Sequence, residues 1–390
     1  PDTQEAKGHL GQTLLLAGRP GEALPILKEV LAATERIRGV DDEAHLQQLL
    51  RLSNASRTVG ALDDAVYYGQ RGVAAARKAH GPGHVNTSVA LSALGNIQRD
   101  RARFDLAAPL LEEALAIQES LYKGKGGNEA ITVARALSNL SAVYSRLGQH
   151  EKALPLRQRA VDIAERVLGG THPELAGHLG NLAQNLVALG QHSQALPLQE
   201  RSLVIQRQGV GTSPGLLAIS LNNLSHIHFL LGDLDAALPP QLEALEIRER
   251  LLGPLHTDTA SSLHNLAVIR KGLGEVQEAM ALALRALAAY EAVLGPQHPS
   301  TAQVRAGLAD LHARQGERPM AIALLKQTVN AHQAMREQVA GLGADTLRSY
   351  TDSVQTFYQQ LASVLSDEGR LPEAQLVLDM LKEDEQFEFV

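Results

Sequence analysis

The 390-residue sequence contains no cysteine, which removes disulfides, thiolate metal sites and a cysteine nucleophile from consideration. It has no tryptophan, and aromatic residues make up only 3% of it. With Leu and Ala dominating the apolar residues, that balance favours helix over sheet. The 36 Lys and Arg are scattered along a chain of net charge −7 and form no basic stripe, so the footprint of a nucleic-acid binder is missing. No stretch approaches the roughly 18 uninterrupted apolar residues of a membrane span. The opening Pro1-Asp2-Thr3-Gln4-Glu5 lacks the basic-then-apolar pattern of a signal sequence. The expectation is a soluble, cytoplasmic protein with no membrane partner. A first residue other than Met points to a fragment of a longer chain. No composition break or structureless linker divides the sequence, which suggests one elongated body.

What is present is a repeat. An Ala that follows each interhelical turn recurs as Ala23, Ala65, Ala107, Ala153, Ala195, Ala237, Ala279, Ala321 and Ala374, with a spacing of 42 residues at six of the eight steps, 46 at the third and 53 at the last. Five residues earlier stands Gly18, Gly60, Gly148, Gly190, Gly232, Gly274, Gly316 or Gly369, with Ala102 replacing Gly in the third unit. Gly at that place suits a helix ending in a left-handed cap before the chain reverses, so each unit is a helix pair.

Seven residues before the turn the side chain is always small, from Gly11 and Ser53 through Ala362, and the residue before it is Leu in all nine units, from Leu10 to Leu361. Two helices can approach closely at the small residue, and the Leu is the core knob of the first helix. Units are joined by a Gly-x-x-His-Pro turn, clearest at Gly170–Pro173 and Gly295–Pro299. Pro fits the first turn of the following helix there. The longer joint Tyr122–Asn128 reads as a flexible surface loop, and Gly341-Leu342-Gly343 leads into a longer, atypical last pair.

Enzymatic chemistry has little to rest on. No His-Glu-x-x-His, carboxylate cluster or Gly-x-Ser-x-Gly elbow occurs. His226 and His228 are two apart on a helix and point about 200° apart, so they cannot chelate one ion. His172, His256 and His298 belong to the joints, where capping is the simpler role. The loop Lys123–Gly127 has the composition of a phosphate cradle but lacks its Gly-Lys-Ser/Thr ending and follows a helix. No catalytic residue, metal or cofactor is expected.

Together, the turn Gly, the small residue before it and the Ala after it resemble the tetratricopeptide repeat (TPR). The 42-residue period, the His-Pro joints and runs such as Leu221-Asn222-Asn223-Leu224 narrow the resemblance to the kinesin-light-chain-like subtype. It implies an all-α, right-handed α-solenoid of about nine TPR-type helix pairs, a single superhelix over 1–390. The pairs fall at approximately 1–38, 42–80, 84–122, 128–169, 173–209, 214–252, 256–294, 298–339 and 345–385. In such arrays the first helices line a concave groove that holds extended peptides.

That resemblance gives meaning to Asn139, Asn181, Asn223 and Asn265, each nine residues before its turn Gly. In light-chain-like arrays an Asn here faces the groove, where its amide can hold a peptide backbone. The competing reading is that each Asn only supports the stack. Arg135, Arg146, His226, Phe229, His264 and Lys271 are expected to line the same groove and to suit an acidic segment. Asn96, Asn139 and Arg135 match a carboxylate clamp in part only.

The segment from Asp367 through Leu381-Lys382-Glu383 resembles the last helix pair before the caspase-like CHAT protease domain of bacterial proteins. The expected function is a protein- or peptide-binding scaffold. The alternatives are a regulatory arm of such a protease, with its catalytic domain beyond Val390, and a self-assembling structural scaffold.

Overall fold

The computed structural model describes residues 2–38, 43–209, 213–340 and 344–381. The joint Gly341–Gly343 and the residues Lys382–Glu383 lie outside the described residues. Eighteen helices and no strand occur among the described residues. They form two compact units, Pro1–Gly209 and Val210–Val390.

The first unit holds α1 (Asp2–Leu16), α2 (Pro20–Arg38), α3 (Glu43–Thr58), α4 (Leu62–His80), α5 (Val85–Asp100), α6 (Phe104–Tyr122), α7 (Gly127–Arg146), α8 (His150–Leu168), α9 (Pro173–Ala188) and α10 (His192–Gln208). The second holds α11 (Pro214–Leu230), α12 (Leu234–Leu252), α13 (Thr257–Gly272), α14 (Val276–Leu294), α15 (Pro299–Arg314), α16 (Arg318–Ala340), α17 (Ala344–Asp367) and α18 (Leu371–Asp379). Within each unit every helix packs on the next, so the fold is a run of consecutive helix pairs.

Each turn is closed by backbone bonds that only a left-handed residue permits. At the end of α7, Gly148 N–H donates to the Ser145 carbonyl (3.1 Å) and Gln149 N–H to the Tyr144 carbonyl (2.8 Å), with Gly148 at φ 71°. This is the Schellman arrangement, which satisfies carbonyls at the helix end. Ala102 takes the same role at φ 58°, the one non-Gly residue with positive φ among the described residues.

The small residue and the Ala after the turn are explained by one contact. Ser53 Oγ donates to the carbonyl of Ala65 (2.9 Å) and Ser225 Oγ to that of Ala237 (2.7 Å). Where the small residue is Gly95, an added Cβ would lie 2.8 Å from the Leu111 side chain, so the helices meet too closely there for a larger group.

The recurring Leu packs on the second helix of the preceding unit. Leu94 reaches the α4 backbone near Gly69, and Leu140 clusters with Leu111 and Leu115 of α6. Leu10 departs from the expected core role and is 50% exposed, because no preceding helix packs on α1 among the described residues.

The joints are double caps. Nδ1 of His84, His172, His256 and His298 accepts from the backbone N–H two residues on, at 3.1–3.2 Å, satisfying a free donor of the next helix. Buried Thr87, Thr259 and Thr301 donate back to the carbonyls of Gly81, Gly253 and Gly295. Successive second helices are tied by ion pairs: Glu35–Arg71, Arg77–Glu113 (2.7 Å), Glu119–Arg159 (2.6 Å) and Glu165–Arg201 (2.6 Å) in the first unit, and Glu249–Arg285 in the second.

Candidate functional site

In the first unit the sequence-selected residues lie on α7 and α9. Asn139 is half-buried and Asn181 exposed. Arg135 grips the Glu174 carboxylate with two bonds of 2.7 and 2.8 Å, which hold that carboxyl below its usual range. Arg146 is exposed and has no ion pair among the described residues. Between these helices Ser138 Oγ lies 2.9 Å from His178 Nδ1. Burial lowers the His178 pKa, against the opposing pull of Glu174. Asn185 donates to the His150 carbonyl (2.9 Å) and accepts from Ser145 Oγ (3.4 Å).

Arg157 of α8 is the unusual group of this region. Only 9% exposed, it donates to Ser145 Oγ (2.8 Å) and to the backbone carbonyl of Asn181. No carboxylate pairs with it among the described residues, and burial pushes its pKa down to about 10. It remains a cation at neutral pH, solvated by neutral oxygens.

In the second unit four of the expected residues come together. His226 and Phe229 of α11, His264 and Asn265 of α13, and Gln303 of α15 line a cavity of about 190 Å³, with Gln241 of α12 behind them and Val268 and Ile269 as apolar walls. Asn265 Nδ2 donates to Asn222 Oδ1 (3.0 Å). Gln241 Nε2 donates to the same oxygen (3.4 Å) and to the Ser262 carbonyl (3.1 Å). Burial lowers the His264 pKa, with Lys271 adding to the effect. Lys271 lines an adjoining cleft with His264 and pairs with Asp310 at 3.2 Å. Asn223 is half-buried and does not line the cavity.

Sequence reasoning passed over the position four residues after the turn Ala. It is Leu27, Gly69, Leu111, Leu325 or Ala283 in most units, but Arg157, Gln199 and Gln241 in three consecutive ones. All three are buried, at 9, 0 and 1% exposure. Polar residues where neighbouring units place Leu were the signal, because a buried carboxamide or guanidinium must find partners. Among the described residues no group of three or more His, Cys, Asp or Glu could hold a metal ion, and no helix is long and apolar enough to cross a membrane.

Comparison with known proteins gives a consistent picture. The family model of the tetratricopeptide repeat matches residues 48–120, 132–208, 216–292 and 270–334, and a second model of that repeat matches 3–44. No curated protein matches the chain. Among solved structures, the apo form of the quorum sensor NprR from B. thuringiensis is 15% identical, with a TM-score of 0.68 over 97% of this chain and 98% of that one. A Rap protein complexed with Competence and Sporulation Factor is 16% identical, with a TM-score of 0.53 over 96% and 99%. TPR-like repeats assigned to a kinesin light chain of Podosopora anserina are 22% identical, with a TM-score of 0.48 over 53% and 96%. At these identities the likeness is one of fold.

Proposed function

The chain belongs to the tetratricopeptide-repeat family, and from that premise we propose that it is a protein-interaction scaffold whose second unit anchors a peptide segment of a partner. The observation that carries this reading is the convergence of three successive first helices, α11, α13 and α15, on the cavity of Phe229, His264, Asn265 and Gln303. Its volume of about 190 Å³ is below the roughly 300 Å³ at which pockets enclose a whole small ligand, and it suits one anchoring side chain. Phe229, Val268 and Ile269 offer that side chain apolar contact, and the carboxamides and imidazoles offer its backbone donors and acceptors.

The Rap protein of similar fold was solved in complex with Competence and Sporulation Factor, so a ligand on an array of this kind has a precedent. Of the cations expected to suit an acidic segment, Arg135 is engaged by Glu174 and Lys271 by Asp310. That leaves Arg146 as the one without an ion pair among the described residues, so an apolar or aromatic anchor fits the cavity better. The regulatory-arm alternative keeps its support in the segment Asp367–Glu383 alone, and no contact bears on self-assembly.

Selection of a displayed peptide library on the full chain tests the reading. Enriched peptides should share an apolar or aromatic anchor and lose about tenfold or more in affinity on Phe229→Ala and His264→Ala. The paired Asn181→Ala and Asn223→Ala chain measures whether the Asn ladder contributes. No enrichment, or undiminished binding to Phe229→Ala, overturns the pocket as anchor.

A further inference from the structure

The 42-residue period is broken once within the first eight units, by the 46-residue step from Ala107 to Ala153, at a place remote in sequence from the proposed peptide cavity. The expected longer joint is not what forms: between α6 and α7 four residues connect the helices, as at the α4–α5 and α8–α9 joints. The four extra residues lengthen α7, which has 20 residues where α5, α9, α13 and α15 have 16. This joint nevertheless carries neither of the caps that close the others. Lys123 ends α6 and Gly126 begins α7 without a side-chain cap. The equivalent joints are drawn shut by a Gly cap on one helix and a His cap on the next.

Beside this uncapped joint lies a cleft of about 890 Å³, within the range that takes a whole small molecule. Its lining divides by chemistry. Val133, Ile163 and Val167 form an apolar floor contributed by α7 and α8, and Lys123, Lys125, Arg159 and Arg166 stand at the polar edge. Arg159 is engaged by Glu119 at 2.6 Å. Lys125 lies over the Tyr122 ring at 5.6 Å, and neither it nor Lys123 nor Arg166 pairs with a carboxylate among the described residues. On a chain of net charge −7 this is a local surplus of three unneutralised cations beside apolar surface, where an anion gains both Coulomb attraction and burial of its body.

The geometry points to a binding site for a small phosphorylated organic molecule of about nucleotide size, its phosphate held by Lys123, Lys125 and Arg166 and its body laid on Val133, Ile163 and Val167. Gly124, at φ 74°, and Gly126 alternate with the two lysines and carry no side chain, so backbone can come close to the phosphate at those two positions.

Isothermal titration of the full chain with ADP, inorganic phosphate and adenosine separates the two halves of the site. ADP should bind more tightly than either fragment, and its affinity should fall as salt rises. Lys123→Glu with Lys125→Glu changes two exposed side chains and should weaken ADP at least tenfold with helicity intact. Arg36→Glu, a reversal of like sign at an exposed position on α2, should leave ADP binding unchanged. Absence of ADP binding up to about 5 mM, a Kd in the range of negligible affinity, overturns the proposal. Equal loss on Arg36→Glu also overturns it, because the effect would then be one of overall charge.

Discussion

Asn265 donates its side-chain N–H to the side-chain oxygen of Asn222, 3.0 Å away on the preceding first helix, and so joins positions 43 residues apart in a repeat of 42. The contact skips Asn223, the equivalent of Asn265 one period earlier. Asn265→Ala should therefore cost about 1 kcal/mol of stability, the ordinary net value of such a bond, whereas Asn223→Ala should cost little. Urea unfolding of both variants checks this, and equal losses would show that Asn223 also braces the stack.

Arg157 carries a prediction of unusual sign. Its charge is buried without a carboxylate, and desolvation of an unpaired ion costs more than bonds to two neutral oxygens return. Other units place Leu27, Leu111 and Leu325 at this position. Arg157→Met should thus leave stability unchanged or raise it by about 1–2 kcal/mol. A loss of more than about 1 kcal/mol on denaturant unfolding would mean that the bridge from Ser145 to Asn181 outweighs the desolvation.

Ala102 occupies a left-handed turn at φ 58° that Gly fills in the other units. A Cβ costs roughly 1 kcal/mol in that conformation, so Ala102→Gly should raise the melting temperature. Gly148→Ala should lower it, although a Cβ at Gly148 meets no atom within 4 Å and the penalty is one of backbone strain alone. Shifts of the same sign for the two would refute the assignment.

These contacts show what was legible beforehand and why the rest was not. The turn Gly, the small residue and the Ala after the turn recur because each unit solves the same steric problem, and a self-comparison of the chain finds them. Contacts between units follow a different rule. Equivalent residues stand 42 apart, but touching residues do not: the second-helix pairs Arg77–Glu113 and Glu165–Arg201 are 36 apart, and the first-helix pairs Arg135–Glu174 and Ser138–His178 are 39 and 40 apart. A period identifies counterparts and not neighbours. Hence Asn139, Asn181, Asn223 and Asn265 could be aligned as counterparts, while the partner of Asn265 emerged only from the packed helices. The same offset kept the charge complementarity of the second helices out of view, although both members of every pair are plain in the sequence.

His332 gives the chain a stability that depends on pH. It lies on α16 at 3% exposure, its Nδ1 3.0 Å from Tyr350 Oη and its ring stacked on Phe357 at 4.9 Å. Burial pushes its pKa down from 6.5 to about 4, and no carboxylate among the described residues pulls it back. Above about pH 6.5 the imidazole is neutral in folded and unfolded chains alike, and its burial is fully tolerated. Between about pH 6.5 and about pH 4 the unfolded chain takes up a proton that the folded one refuses, so stability falls as pH falls. The shift corresponds to about 3 kcal/mol across that window. His332→Leu keeps the apolar stacking partner of Phe357 and removes the titration, so its unfolding midpoint in urea should fall less steeply between pH 7 and pH 4. His178 and His264, whose pKa values burial also lowers, contribute equally to both chains and cancel in the difference. Parallel pH profiles would show that the His332 proton is taken up without unfolding, and would refute the burial argument.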